Sequence, residues 1–281
     1  MSRFTQTLRA LPATLLGVWL INAPAYAAVQ PEESAWSLPR DVSVHGERID
    51  WLIVITTVFV SILFVVMCYI MAVAFFKHTG DDAEVHYDHG TGKRQITFAM
   101  TVSALIFLWI DGNLFYFSMK DLDEVFWNYD LPQQQEDVVL IEINAHQWAW
   151  DARYQGPDGV FNTADDIITL NDIRVPVNRP VVMQIASVDV IHSFYLPNLR
   201  MKQDATPGMI NPMWFEADET GEFDIACAQH CGAHHYMMKG MLTILENDAY
   251  EAWAAEASRR SQLAYDESNA ELQWGWPWKE I

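Results

Sequence analysis

Two long apolar runs, residues 51–76 and 96–118, constrain this chain more than any other feature. The first carries no charge at all. A bilayer core takes about 20 apolar residues of helix, and backbone exposed to lipid must satisfy its own hydrogen bonds, so both runs predict membrane-spanning helices. Lys77 closes the first run, and Lys93 and Arg94 precede the second. Basic residues at span ends set orientation, which puts the connecting loop on the cytoplasmic side and everything after about residue 120 on the outer side. Asp111 sits near the far end of the second run, where a carboxylate needs the interface or a protein partner. Trp109, Tyr116 and Trp127 are placed to anchor at the outer interface.

Ahead of the spans, residues 1–27 have the pattern of a secretory signal: basic Arg3 and Arg9, an apolar stretch, then Ala25-Tyr26-Ala27 as a cleavage site. The expected organisation is a signal at 1–27, an outer segment plus hairpin at 28–120, a soluble domain at 121–247 and a helical tail at 248–281. The formal net charge of −20 excludes nucleic acid as a partner, since phosphate binding draws on Lys and Arg. It fits a cationic partner steered electrostatically, and equally a surface that is merely soluble.

The soluble part reads as short β-rich runs at 138–143, 167–175, 181–188, 222–227 and 241–246, with turns at Gly156-Pro157-Asp158-Gly159 and Pro207-Gly208. That is the pattern of a small Greek-key barrel or sandwich. Residues 248–272, rich in Ala, Glu and Arg, predict a helix followed by Trp274, Trp276 and Trp278. Residues 158–166 hold part of the spacing of a calcium loop without its full ligand set, and read as an acidic hairpin turn.

The chemistry is concentrated in Cys227-Ala228-Gln229-His230-Cys231-Gly232-Ala233-His234-His235-Tyr236-Met237-Met238. Thiols, imidazoles and thioethers within a dozen residues are soft and borderline donors, which suit copper. A local disulfide would leave the His and Met residues unused, and a closed zinc site favours a four-donor Cys/His shell. A single blue-type copper needs one Cys, so this segment has one too many. Two thiolates can bridge two metals, each wanting one imidazole and one weaker ligand. His235 and Met238 supply one of each, and His192 is the best second imidazole, read as sitting at a strand end before the turn at Pro197.

These residues resemble subunit II of the haem–copper oxidases, the CuA subunit of cytochrome c oxidase. The family pattern Cys-x-Glu-x-Cys-x-x-x-His-x-x-Met differs here only at Gln229, and His192-Ser193…Pro197 and Lys202-Gln203-Asp204-Ala205-Thr206-Pro207-Gly208 match its upstream signatures. The resemblance implies a two-helix hairpin, then an all-β cupredoxin-like Greek-key barrel and a C-terminal helix. It implies a dinuclear copper centre bridged by Cys227 and Cys231, with His192 and His235 as nitrogen ligands. Met238 and the backbone carbonyl of Gln229 would be its weak ligands. Met237 is expected to pack, and His230 and His234 to stand outside the ligand set. Magnesium at the contact with subunit I is doubtful, because an amide at Gln229 replaces a carboxylate.

His146-Gln147-Trp148-Ala149-Trp150 resembles the family segment where cytochrome c hands over its electron, with Trp148 at the accepting position. Asp151, Asp158, Asp165, Asp166 and Asp218 are candidates for attracting a basic donor. Gln95 stands where many relatives carry a Glu for proton uptake. The implied partners are oxidase subunit I with its haem and copper B, the other oxidase subunits, a cytochrome c donor and membrane lipid. The implied place is a bacterial inner membrane, with the copper domain in the periplasm. Two other functions compete: the same module in a nitric oxide reductase, and a tethered copper-delivery protein.

Overall fold

The computed structural model describes residues 38–77, 89–135, 137–265 and 268; the signal expected at 1–27, most of the connecting loop and the tail tryptophans lie outside these. The chain divides after Arg40, and the hairpin and the β-rich domain both belong to the unit that begins at Asp41.

Helix α1 (Gly46–Lys77) and helix α2 (Lys93–Phe126) are both long and apolar enough to cross a membrane, and they contain the two runs. Their apolar side chains face outward, Phe64, Met71 and Phe76 among them. Outward apolar side chains are stable only against lipid or another apolar surface, so this chain is membrane-anchored. Helix α2 widens into π-type turns at Ile106–Asp111 and Leu122–Phe126. Asp111 is exposed within the first of these, and Gln95 is exposed in the first turn of α2. At the outer end of the hairpin Trp51 meets Phe117 edge-on at 5.1 Å, and Arg48 pairs with Asp121 and Glu124.

Ten strands follow: β1 (Val139–His146), β2 (Ala149–Tyr154), β3 (Ile167–Leu170), β4 (Asp172–Pro176), β5 (Pro180–Ser187), β6 (His192–Leu196), β7 (Met201–Ala205), β8 (Asn211–Glu216), β9 (Gly221–Cys227) and β10 (Lys239–Leu245). They form two five-stranded sheets, ordered β3-β2-β1-β5-β8 and β4-β10-β9-β6-β7. β1 runs parallel to β5 and β4 parallel to β10; the other neighbours are antiparallel. This is the expected cupredoxin-like form. Its core, with Ile141, Ile143, Ile185, Phe194 and Ile225 fully buried, lies between the sheets.

The run 167–175 is not one strand. It breaks at Asn171, in the left-handed region at φ 56°, so β3 lies in one sheet and β4 in the other. The Asn171 N–H donates to the Trp150 carbonyl, its side-chain oxygen accepts from the Trp150 N–H, and its carbonyl accepts from the Met241 N–H, each at 2.8 Å.

Among the described residues, two hydrogen-bonded contacts help fasten the sandwich to the hairpin. The Trp214 indole N–H donates to the Val125 carbonyl at 2.6 Å, within a small apolar cluster of Val125, Val182 and Trp214. Burying each such side chain contributes about 1.5–3 kcal/mol. Arg200, in the left-handed region at φ 58°, reaches both carboxylate oxygens of Asp50 in α1 at 2.6 and 2.8 Å. On the sandwich, helix α3 (Asn247–Ala264) sets Trp253 against Tyr154 at 5.4 Å and ties Ser258 to the Asp165 carbonyl.

Candidate metal centre

Strand pairing assembles the site. β6 lies beside β9, with Phe194 opposite Cys227, and the Ala228 N–H donates to the Ser193 carbonyl at 2.9 Å. This brings His192 to the mouth of the loop that leaves β9 at Cys227. The loop turns through a short helical segment at His235–Met237, closed by the His235 N–H on the Gly232 carbonyl at 3.2 Å. Met238 comes next, just before β10.

His192, Cys227 and Cys231 present donor atoms that all lie within 4.8 Å of one another. The two sulfurs are 3.7 Å apart, far beyond the roughly 2.05 Å of a disulfide. Two thiolates bound to one tetrahedral metal at about 2.3 Å stand about 3.8 Å apart, so the spacing fits thiolates sharing metal. Cys231 Sγ is 3.6 Å from His235 Nδ1 and 3.7 Å from Met238 Sδ, while His192 Nδ1 is 3.1 Å from that same thioether sulfur. The Gln229 carbonyl faces Cys227 Sγ at 3.2 Å. All six expected donors thus converge. They number more than the four of a closed zinc shell, and they are softer than calcium or magnesium would select, so the set fits copper.

His192, Cys231 and Met238 are buried; Cys227 and His235 are half-buried. Burial pushes the Cys227 thiol up, but its hydrogen bonds with His192 and with the backbone at Ser193 and Gln229 outweigh that and bring it down to about 6. Burial, and then the adjoining Cys227 sulfur, push Cys231 up to about 12. Burial works against protonation of His192, yet Cys227 and Asp189 together raise it.

Some expectations need correction. His192 opens β6 rather than ending a strand. Met237 does not pack: it is 60% exposed. His230 is exposed, tilted against His235 at 5.5 Å, and His234 meets Trp148 edge-on at 4.5 Å. Asp166 is buried beside Arg153 and so is not a surface charge, while half-buried Asp151 lies 3.2 Å from His146 Nε2. The loops around the site are apolar instead, exposing Val188, Val190, Ile191, Tyr236 and Met237.

Three residues that sequence reasoning passes over also sit here. Asp189 meets His192 Nε2 at 2.9 Å, and bonds from His192, Val190 and Gln147 hold its carboxyl below the usual range although burial opposes them. Gln147 donates its side-chain amide to the Cys231 carbonyl at 2.7 Å. Gly232 lies against the Trp148 indole. Asp189 stands three positions before His192, Gln147 precedes the expected Trp, and Gly232 adjoins a ligand; only those adjacencies could have flagged them.

Fold and donor set define the class: a membrane-anchored cupredoxin-like domain with a Cys/His/Met donor cluster that could hold a metal. Residues 123–244 match the family model described as Cytochrome C oxidase subunit II, periplasmic domain. The chain is 32% identical over 207 residues to cytochrome c oxidase subunit 2 of Alkalihalophilus pseudofirmus, covering 72% of this chain and 55% of that one, so it spans about half that relative's length. It is 24% identical to the Cereibacter sphaeroides subunit 2, covering 85% of this chain and 88% of that one. A solved periplasmic domain of subunit II from Bradyrhizobium japonicum is 29% identical and covers 43% of this chain and 94% of its own, with a TM-score of 0.39. Residues 123–244 are thus similar to the periplasmic domain of the cytochrome c oxidase subunit II family.

Proposed function

We propose that this chain is the electron-accepting subunit of a respiratory terminal oxidase. It takes electrons from cytochrome c at a dinuclear copper centre and passes them to haem in subunit I, where oxygen is reduced to water. The carrying observation is the pair of unbonded sulfurs 3.7 Å apart, ringed by two imidazoles, a thioether and a carbonyl.

In this reading Cys227, Cys231, His192, His235, Met238 and the Gln229 carbonyl would hold the copper. Bound there, copper would supply one-electron exchange. The protein's part is to hold the donors still and dry. Buried Cys231, Met238 and His192 keep water from the inner side, and Asp189 on Nε2 fixes the His192 ring so that Nδ1 points inward. In this reading Trp148, half-buried beside Gly232 of the donor loop, accepts the incoming electron. The apolar rim of Val188, Val190, Ile191, Tyr236 and Met237 offers the donor a surface that needs no charge pairing at its centre.

The reading also carries a domain order: a signal at 1–27, the hairpin within 28–120, the copper domain at 121–247 and a helical tail. It places that domain in the periplasm of a bacterial inner membrane. The test is the full chain purified in detergent and loaded with copper. The purple absorption and multiline paramagnetic spectrum of a mixed-valence pair are expected. A single-copper spectrum would defeat the proposal.

A further inference from the structure

We infer that Gln147 and Gly232 form a seam that fixes the Trp148 indole against the copper loop, and that this seam sets how fast an electron crosses from Trp148 to Cys231. The inference rests on the reading of Trp148 as the accepting residue.

Trp148 and Gln147 make the tight turn between β1 and β2, in one sheet, whereas Cys231 belongs to the loop between β9 and β10, in the other. Nothing in strand pairing brings these two turns together. Gln147 does so. Its side-chain amide donates to the Cys231 carbonyl at 2.7 Å, and its backbone N–H donates to Asp189 Oδ2 at 2.6 Å. Asp189 in turn meets His192. One residue is therefore joined covalently to Trp148, by one hydrogen bond to the residue that carries a bridging sulfur, and by two to an imidazole ligand.

Gly232 makes the approach possible. Its φ of 122° is one that L side chains rarely adopt. A Cβ there would stand 2.9 Å from the Gln147 amide nitrogen, 3.3 Å from Trp148 Cζ2 and 3.4 Å from Trp148 Nε1. The indole thus rests on bare backbone one residue from Cys231. The buried Trp148 Nε1 has no hydrogen-bond partner among the described residues, so none of them holds the ring through that nitrogen. Placement falls to the seam. Electron transfer weakens steeply as donor and acceptor separate, so a side chain inserted at Gly232, or a broken bond at Gln147, should cost rate without touching a ligand.

The experiment compares Gly232→Ala, Gln147→Ala and Trp148→Phe in the assembled oxidase. Each is mixed rapidly with a reduced basic c-type cytochrome, and separately with hexaammineruthenium(II), a small reductant that needs no protein docking. In each transfer the reductant's metal loses one electron and the copper pair gains it. Gly232→Ala and Gln147→Ala should each slow uptake from the cytochrome several-fold. Uptake from the ruthenium complex, and the optical and paramagnetic spectra of the copper, should stay as in the parent. Trp148→Phe separates the two readings. If it accepts electrons from the cytochrome as fast as the parent, the role given to Trp148 fails and the seam with it. If it is slow while both seam variants match the parent, the seam alone is wrong. A changed copper spectrum in both seam variants would mean that they act on the ligands, which also overturns the inference. Should Gly232→Ala fail to assemble, Gln147→Ala, which removes a hydrogen bond and adds no bulk, decides the matter.

Discussion

Cys227 Sγ and Cys231 Sγ lie 3.7 Å apart without a bond between them, one half-buried and the other buried. Replacing Cys231 with Ser removes one of two soft anionic donors and leaves a hard hydroxyl. The Cys231→Ser chain should lose the mixed-valence spectrum, and its copper content should fall below the roughly two atoms per chain expected of the parent. Metal analysis beside the spectrum checks both, and an intact pair in the variant would refute the ligand set.

The two thiols should also differ in the copper-free protein. Cys227 is lowered to about 6 and Cys231 raised to about 12, from an ordinary value of 9.0. Above about pH 6 Cys227 is therefore thiolate, and Cys231 stays protonated through the neutral range. In a Cys68→Ser background, iodoacetamide at neutral pH should label Cys227 well ahead of Cys231, since the thiolate is the nucleophile. Labelling of Cys227 should fall away as pH drops through about 6. For stability the signs oppose. The depressed Cys227 favours the fold fully above pH 9 and loses that effect as pH falls through 6, while the raised Cys231 favours it below 9 and loses it as pH rises through 12. Peptide mapping of the alkylated chain reads the order of labelling.

The Arg200–Asp50 pair joins the sandwich to the first membrane helix, and Arg200 has a side chain only 7% exposed. Asp50→Ala leaves that guanidinium without its charged acceptor, an expected loss of about 2–3 kcal/mol. Arg200→Ala loses the same pair and keeps an unfavourable left-handed backbone, whereas Arg200→Gly loses the pair but relieves the backbone. Arg200→Gly should thus be the milder of the two by about 1 kcal/mol. Thermal melts in detergent rank the three, and an Ala variant as stable as the Gly variant would remove the backbone argument.

A buried ionic group sits on the outer face of one sheet, under the connection between β2 and β3. Arg153, fully buried, donates through Nε to Glu142 at 2.7 Å and lies 3.8 Å from Asp166. Burial raises both carboxyls, more than Arg153 lowers them. Arg153→Met should cost about 3–5 kcal/mol at neutral pH, because two buried carboxylates lose their counter-charge. A carboxyl raised in the fold favours it while protonated and loses that effect as pH rises through the folded value. The variant's deficit should therefore shrink on going from neutral to mildly acidic pH. Melting curves across that range check the sign.

The membrane hairpin and the donor loop are legible in the sequence because each is a contiguous signal: apolar length in one case, soft donors at fixed spacing in the other. The features that stay hidden are non-local. Strand β2 carries Arg153 on the face away from the core, buried under the connection to β3 with Glu142 and Asp166, so both faces are buried and the alternation is masked. The run 167–175 reads as one strand because Asn171 is a single polar residue among β-formers, and its left-handed backbone leaves no mark in composition. Asp166 reads as surface acid for the same reason: it lies in the connection before β3, and its partner Arg153 lies back in β2. The Gln147–Cys231 bond joins residues 84 positions apart and is set by how the two sheets meet.

Asn171 acts as a rivet. With three hydrogen bonds spent on Trp150 from one sheet and Met241 from the other, it denies the two halves any sliding motion at that corner. The strand that delivers Trp148 and the strand that comes after Met238 are thereby clamped to a common point. Whatever charge arrives at this end of the molecule meets a frame with little slack to take up, and a frame without slack wastes little energy in rearranging when an electron comes and goes.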